Sequence, residues 1–197
     1  LLPTMSTSAT LLQPIFQAQR ELMQKIGEKE AKLGYFCPRI PLDLVHRPDQ
    51  DWFRLMTGFF IEELSEAITA RNTPSFHEEL IDGLHFITEL AILANVSATE
   101  IPLPKSLGEN TLKLNSDWAP KVVKVVEDAM ATVNMLKAKP WKAEFKAPNM
   151  QKFRDSIIDT YQSFLILMQC SGIDLNDLHK LYFKKNETNH QRVKGGY

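Results

Sequence analysis

Two pairs of carboxylates, Glu63 with Glu66 and Glu79 with Asp82, carry the strongest chemical signal in the chain. Each pair is spaced three residues apart in a segment of helical apolar periodicity, so each pair shares one helix face. Twelve residues separate the pairs, and they hold Arg71-Asn72-Thr73-Pro74-Ser75, a tight helix-to-helix turn. Two antiparallel helices joined in this way can bring four carboxylates together. Four anions in a partly dry site need a counter-charge. The only Lys or Arg between Ile61 and Phe86 is Arg71, at the turn. The spacing therefore points to a hard divalent cation held by carboxylate oxygens. The plainer alternative is two amphipathic helices with solvated acidic faces, since surface acids are common. Against it, the acids run beside apolar positions. These are Leu55, Met56, Phe59, Phe60, Leu64 and Ile68 on one helix, and Leu80, Ile81, Leu84, Ile87 and Leu90 on the other.

A second constellation lies at the C-terminus. Tyr182, Lys185, Asn189 and Arg192 recur at three or four residues and share a helical face. Lys, Asn and Arg on one face can grip a phosphate chain, with Arg offering a bidentate fork. The alternative is a basic helix end that complements the helix dipole. Joined to a carboxylate tetrad, the phosphate-gripping reading fits a metal-dependent nucleoside triphosphate hydrolase.

The elements that must position these groups are helices. The first is expected from about Pro14, a residue suited to a first turn, to Leu33, with a stop at Gly34. Pro38, Pro41 and Pro48 make the next stretch a loop. Asp49 is expected to cap a second helix carrying Trp52 and the first acidic pair. Ser75 with Glu78 reads as a capping box for the third. Residues 97–117 read as a long irregular connection. Helices are then expected at about Trp118 to Lys137, with Val122, Val126, Ala129 and Val133 on one face, and at about Met150 to Cys170. Asp174 should cap the last, which should fray before Gly195. Trp118 and Trp141 read as packing residues. The fold expected is an all-α bundle of about six helices in a single domain over 1–197, with 97–150 a divergent, partly irregular insertion.

Bulk properties exclude other classes. A chain of 197 residues can bury a sizeable core. The formal net charge of -1 shows no basic excess, so nucleic acid is not the expected partner. The two cysteines, Cys37 and Cys170, have no close spacing. They make neither a zinc motif nor a disulfide framework, and they fit a reducing compartment, with the cytoplasm as the expected location. The apolar runs are too short for a membrane span. Leu1-Leu2-Pro3-Thr4 does not resemble a signal peptide, and Met5 is the expected natural start.

Glu63-x-x-Glu66 followed by Glu79-x-x-Asp82 resembles the all-α nucleoside triphosphate pyrophosphohydrolases, the superfamily of MazG and the dimeric dUTPases. Asp82-Gly83-Leu84-His85-Phe86 is similar to the Asp-x-x-His-Phe continuation of the dimeric dUTPase and phage dCTP/dUTP pyrophosphatase branch. The tail Tyr182-x-x-Lys185-Asn186-x-x-Asn189-x-x-Arg192-x-x-x-Gly196-Tyr197 is similar to that branch's C-terminal motif. The resemblance implies that Glu63, Glu66, Glu79 and Asp82 bind Mg2+, with Mn2+ able to take its place. It implies that Glu62, or one of the tetrad such as Glu63 or Glu66, positions or activates water. Lys185, Asn186, Asn189, Arg192 and Tyr197 would close over the phosphates. Trp52, His85 and Phe86 would line the base pocket, with Gln17 among the first-helix amides available to the base. The branch pairs a Gln with an Asn there, and this chain lacks that Asn, so a choice between uracil and cytosine is left open. The implied reaction is hydrolysis of dUTP, and of dCTP as a further substrate, to the monophosphate and pyrophosphate by a homodimer. A non-catalytic nucleotide-binding or regulatory protein on the same fold, and a MazG-like hydrolase of another nucleoside triphosphate, are the alternatives.

Overall fold

The computed structural model describes residues 11–105 and 118–195. The expected start at Met5, most of the 97–117 connection, and Tyr197 lie outside them. Among the described residues there are six α-helices, two short 3-10 turns and no strand. The helices are α1 (Gln13–Lys32), α2 (Arg47–Ala70), α3 (Phe76–Leu93), α4 (Trp118–Met135), α5 (Met150–Cys170) and α6 (Leu178–Gly195).

Local chemistry explains most of the boundaries. Pro14 sits in the first turn of α1, and the helix stops just before Gly34, which adopts φ +80. The cap of α2 is His46 rather than the expected Asp49. Asp49 lies one turn in, where its carboxylate accepts the Asp43 backbone N–H at 2.7 Å and ties the preceding loop to the helix. Helix α3 starts after Ser75, but the capping box does not form. The Ser75 hydroxyl pairs with Thr73, and Glu78 turns away to Lys185. A partner on another helix has outcompeted the local one. Asp174 caps the 3-10 turn Leu175–Asp177 that leads into α6, not α6 itself.

Helix α3 is the centre of the bundle. It pairs with α2 through the short turn at 71–75 and also touches α1, α5 and α6. Its close approach to α5 depends on Gly83, where a Cβ would lie 2.9 Å from the Phe164 ring. That ring packs edge-on against Phe60 of α2 at 5.4 Å. Helices α4 and α5 form a second hairpin, and α6 closes the bundle against α1 and α3. On α4 the buried positions are Trp118, Val122, Val125, Ala129 and Thr132, so Val126 and Val133 fall at the edge of the face.

One packing expectation needs correction. Trp118 is buried and donates to Ser171 Oγ at 2.8 Å, but Trp141 is 79% exposed in the segment between α4 and α5. Gln50 and Arg54 of α2 bind the backbone of that segment at Leu136, Ala138 and Lys146, and Trp141 lies between these contacts. Leu55, Phe59 and Ile68, on the apolar stripe of α2, are exposed. The described residues leave this part of the stripe uncovered.

Candidate active site

The turn between α2 and α3 brings carboxylates from both helices to one place. Oxygens of Glu63, Glu79 and Asp82 lie within 4.8 Å of one another. Glu66 stands outside that group and is exposed, although its charge is felt by Glu63 and Glu79. Glu62 is exposed and takes no part in the cluster. Three of the four expected ligands are thus gathered, with the fourth at the rim.

The cluster is under electrostatic stress. Burial, then the charges of Asp82, Glu66 and Glu79, push the Glu63 carboxyl up to about 7. Glu79 is raised by burial and by Asp82 and Glu66. Asp82 is raised because burial outweighs its cationic partner. That partner is Lys185 of α6, whose Nζ lies 2.7 Å from Asp82 and 2.9 Å from Glu78. The counter-charge absent from the hairpin's own sequence therefore arrives from the far end of the chain. Its hydrogen bonds to Asp82 and Glu78 hold Lys185 above its ordinary value against the opposing effect of burial. One ammonium does not offset three gathered carboxylates, as the raised Glu63 records. An oxygen-only donor set with surplus negative charge fits a hard divalent cation.

The rest of the tail is divided by helical phase. Arg192 is exposed, and its charge reaches Glu78 and Asp82. Asn189 is half-buried. Asn186 is buried with its Oδ1 unpartnered.

Of the residues expected at the base, His85 is buried and stacks on Tyr182 at 4.2 Å. Its Nδ1 contacts the Ile81 carbonyl at 2.9 Å, and its Nε2 is unpartnered. Burial lowers His85 to about 4, so the ring is neutral. Phe86 is half-buried against Phe59 at 5.8 Å. Trp52 meets Phe36 edge-on and lines a recess with Met23, Cys37, Glu89 and Leu93. Gln17 is not at this site. It is exposed and donates to Glu21 on the outer face of α1. The amide turned inward is Gln19, which accepts from the Tyr182 hydroxyl at 2.7 Å and donates to Glu89 at 3.3 Å. Two residues along a helix is a rotation of roughly 200°, which puts the two glutamines on opposite faces. Gln19 was detectable as a polar residue on the Ile15–Leu22 apolar stripe, and Glu89 as an acid within an apolar run.

No helix among the described residues is long and apolar enough to cross a membrane. Comparison with curated proteins and with solved structures returned no match. A family model described as dUTPase matches residues 66–197, from the rim of the acidic cluster to the end of the tail. Over well more than half its length, and with the acidic hairpin and basic tail meeting in space, the chain belongs to the dimeric all-α dUTPase family, enzymes that hydrolyse dUTP to dUMP and pyrophosphate.

Proposed function

We propose that this chain hydrolyses dUTP, and dCTP as well, in a Mg2+-dependent reaction at the Glu63–Glu79–Asp82 cluster, with Mn2+ able to replace Mg2+. The observation that carries this reading is the gathering of those three carboxylates within 4.8 Å beside Lys185. Water adds at the α–β anhydride, that bond breaks, and pyrophosphate leaves. A divalent cation held by Glu63, Glu79 and Asp82 supplies charge neutralisation and a more acidic water. Glu66, at the exposed rim, is placed to orient the water and accept its proton. Lys185 and Arg192 bring positive charge to the phosphates and spread the charge that develops on the leaving group. Asn189 and Tyr197 are assigned to the same phosphate-closing tail. Trp52 and Phe86 provide flat apolar walls for a pyrimidine. The role in the cell is sanitation of the nucleotide pool.

The exposed Leu55 and Phe59 beside this site support a homodimer as the working form.

The test is pyrophosphate release from a panel of deoxynucleoside triphosphates. Turnover of dUTP and dCTP should require Mg2+, vanish in EDTA, and fall at least a hundredfold in Glu63→Gln or Asp82→Asn with the fold intact. Full turnover in excess EDTA would rule the metal site out.

A further inference from the structure

Two carboxyls that the acidic cluster leaves unused, Glu30 and Glu89, line the recess beside Trp52, and Glu89 is the one that shares a helix with Asp82. It follows Asp82 by seven residues, two turns along the same face of α3, roughly 10 Å away along the axis. A nucleotide whose phosphates meet Asp82 can reach that far with its sugar and base. The recess that Glu89 lines is otherwise largely apolar, walled by Trp52, Met23, Ile26 and Leu93. The carboxyl is also held in a fixed orientation. Gln19 Nε2 donates to Glu89 Oε2, and Gln19 is itself fixed because its Oε1 accepts from Tyr182.

We propose that Glu89 reads the polar edge of the pyrimidine, its carboxylic acid giving one hydrogen bond and accepting another. Toward uracil, the acid O–H donates to O4 and the carbonyl oxygen accepts from N3–H. Toward cytosine, the O–H donates to N3 and the carbonyl oxygen accepts from the N4 amine. One neutral carboxyl thus satisfies both bases, while the oxygen that faces Gln19 has a second lone pair to spare. This gives a physical basis for accepting dUTP and dCTP together, and it rests on the pyrophosphohydrolase reading above.

The surroundings favour the neutral acid. Burial raises Glu89 to about 7, against the lowering effect of the Gln19 hydrogen bond. The titratable groups facing it are Glu30 of α1 and Cys37 of the following loop, both lining the recess, Tyr182 of α6, and His85 one turn earlier on α3. His85 is neutral, and burial keeps the Cys37 thiol and the Tyr182 hydroxyl protonated beyond their ordinary ranges. None of them offers Glu89 a cation. Once ionised, Glu89 has only acceptors to present, and the donor for O4 or N3 is lost. Binding therefore weakens as pH rises through about 7.

The test compares the parent with Glu89→Gln, whose amide carries a permanent donor and acceptor. KM for dUTP and for dCTP is measured with Mg2+ from pH 6 to pH 9. Any pH effect on the metal cluster is common to both proteins, so the ratio of parent to variant KM isolates Glu89. That ratio should rise about tenfold between pH 6 and pH 8, following the loss of the competent form. A constant ratio would overturn the inference. The second measurement needs neither metal nor turnover. Calorimetry of 2′-deoxyuridine binding in EDTA at pH 8, in buffers of different ionisation enthalpy, should show uptake of about one proton by the parent. No uptake would overturn the role of Glu89, even if Glu89→Gln fails to fold. A parent that takes up the proton yet hydrolyses no nucleotide would instead remove the enzymatic reading and leave base recognition standing.

Discussion

At the scale of single residues, Lys185 and Glu63 show how the acidic site is held in tension. Lys185 satisfies Asp82 and Glu78, while Glu63 is left among like charges. The consequence for stability has a definite sign. In the unfolded chain Glu63 loses its proton near the ordinary value of 4.5; in the folded chain it keeps it to about 7. Between those values the native state binds more protons, so this group's contribution to stability falls as pH rises from about 4.5 through about 7. Above that, the ionised carboxylate remains a net liability unless a cation joins it. A cation that binds only the native state raises stability by mass action. The melting temperature should therefore rise on adding Mg2+, by more at pH 8 than at pH 6, and the difference should shrink in Glu63→Gln. Thermal denaturation with Mg2+ and with EDTA at the two pH values checks this. An equal Mg2+ shift in the parent and in Glu63→Gln would show that the ion binds elsewhere.

At the scale of elements, α3 is where sequence and structure agree best, and its neighbours show why agreement stops. The periodicity of Leu80, Ile81, Leu84, Ile87 and Leu90 makes α3 readable, and all five are buried. What periodicity does not carry is which partner each polar group chooses. Glu78 was expected to cap its own helix, yet it pairs with Lys185, 107 residues away. Gln17 and Gln19 are equivalent as residue types, and only the phase of α1 against α6 decides which meets the site. Gly83 is a third case, since its role appears only when Phe164 of α5 is seen against it. Replacing Gly83 by Val should cost about 1–3 kcal/mol by overpacking against that ring. The gain in helix propensity over glycine is only a few tenths of a kcal/mol, so the overpacking decides the sign. Chemical denaturation should show the loss, and because Asp82 is the adjacent residue, activity should fall too. A stability equal to the parent's would mean that α5 yields freely at this contact.

At the scale of the whole molecule, the helix count was legible from strong local patterns, and the joint role of hairpin and tail from their complementary chemistry and the family resemblance. The burial of Trp141 was misjudged, because exposure depends on what lies opposite, and one chain's sequence does not state that. For Leu55 and Phe59 the exposed positions form a stripe. They are four residues apart on α2, and the same three-and-four spacing continues to Glu62 and Glu66. An apolar stripe running into the acidic rim is suited to a second copy, which would cover the stripe and wall the site on that side. Light scattering should then give twice the 22.5 kDa chain mass at micromolar concentration. Leu55 is the better position to test, since Phe59 also packs on Phe86 within its own chain. Placing an unpaired carboxylate in such an interface costs roughly 3 kcal/mol or more, about a hundredfold in the dimer constant. In a two-fold dimer each copy carries the substitution, which compounds the effect. Leu55→Glu should therefore run at the chain mass while keeping its helical content, because Phe53 and Phe60, the buried anchors of α2, are untouched. Its kcat/KM for dUTP should drop together with its mass. A parent already running at 22.5 kDa, or a Leu55→Glu protein that remains at twice that mass, would place the dimer contact elsewhere or remove it.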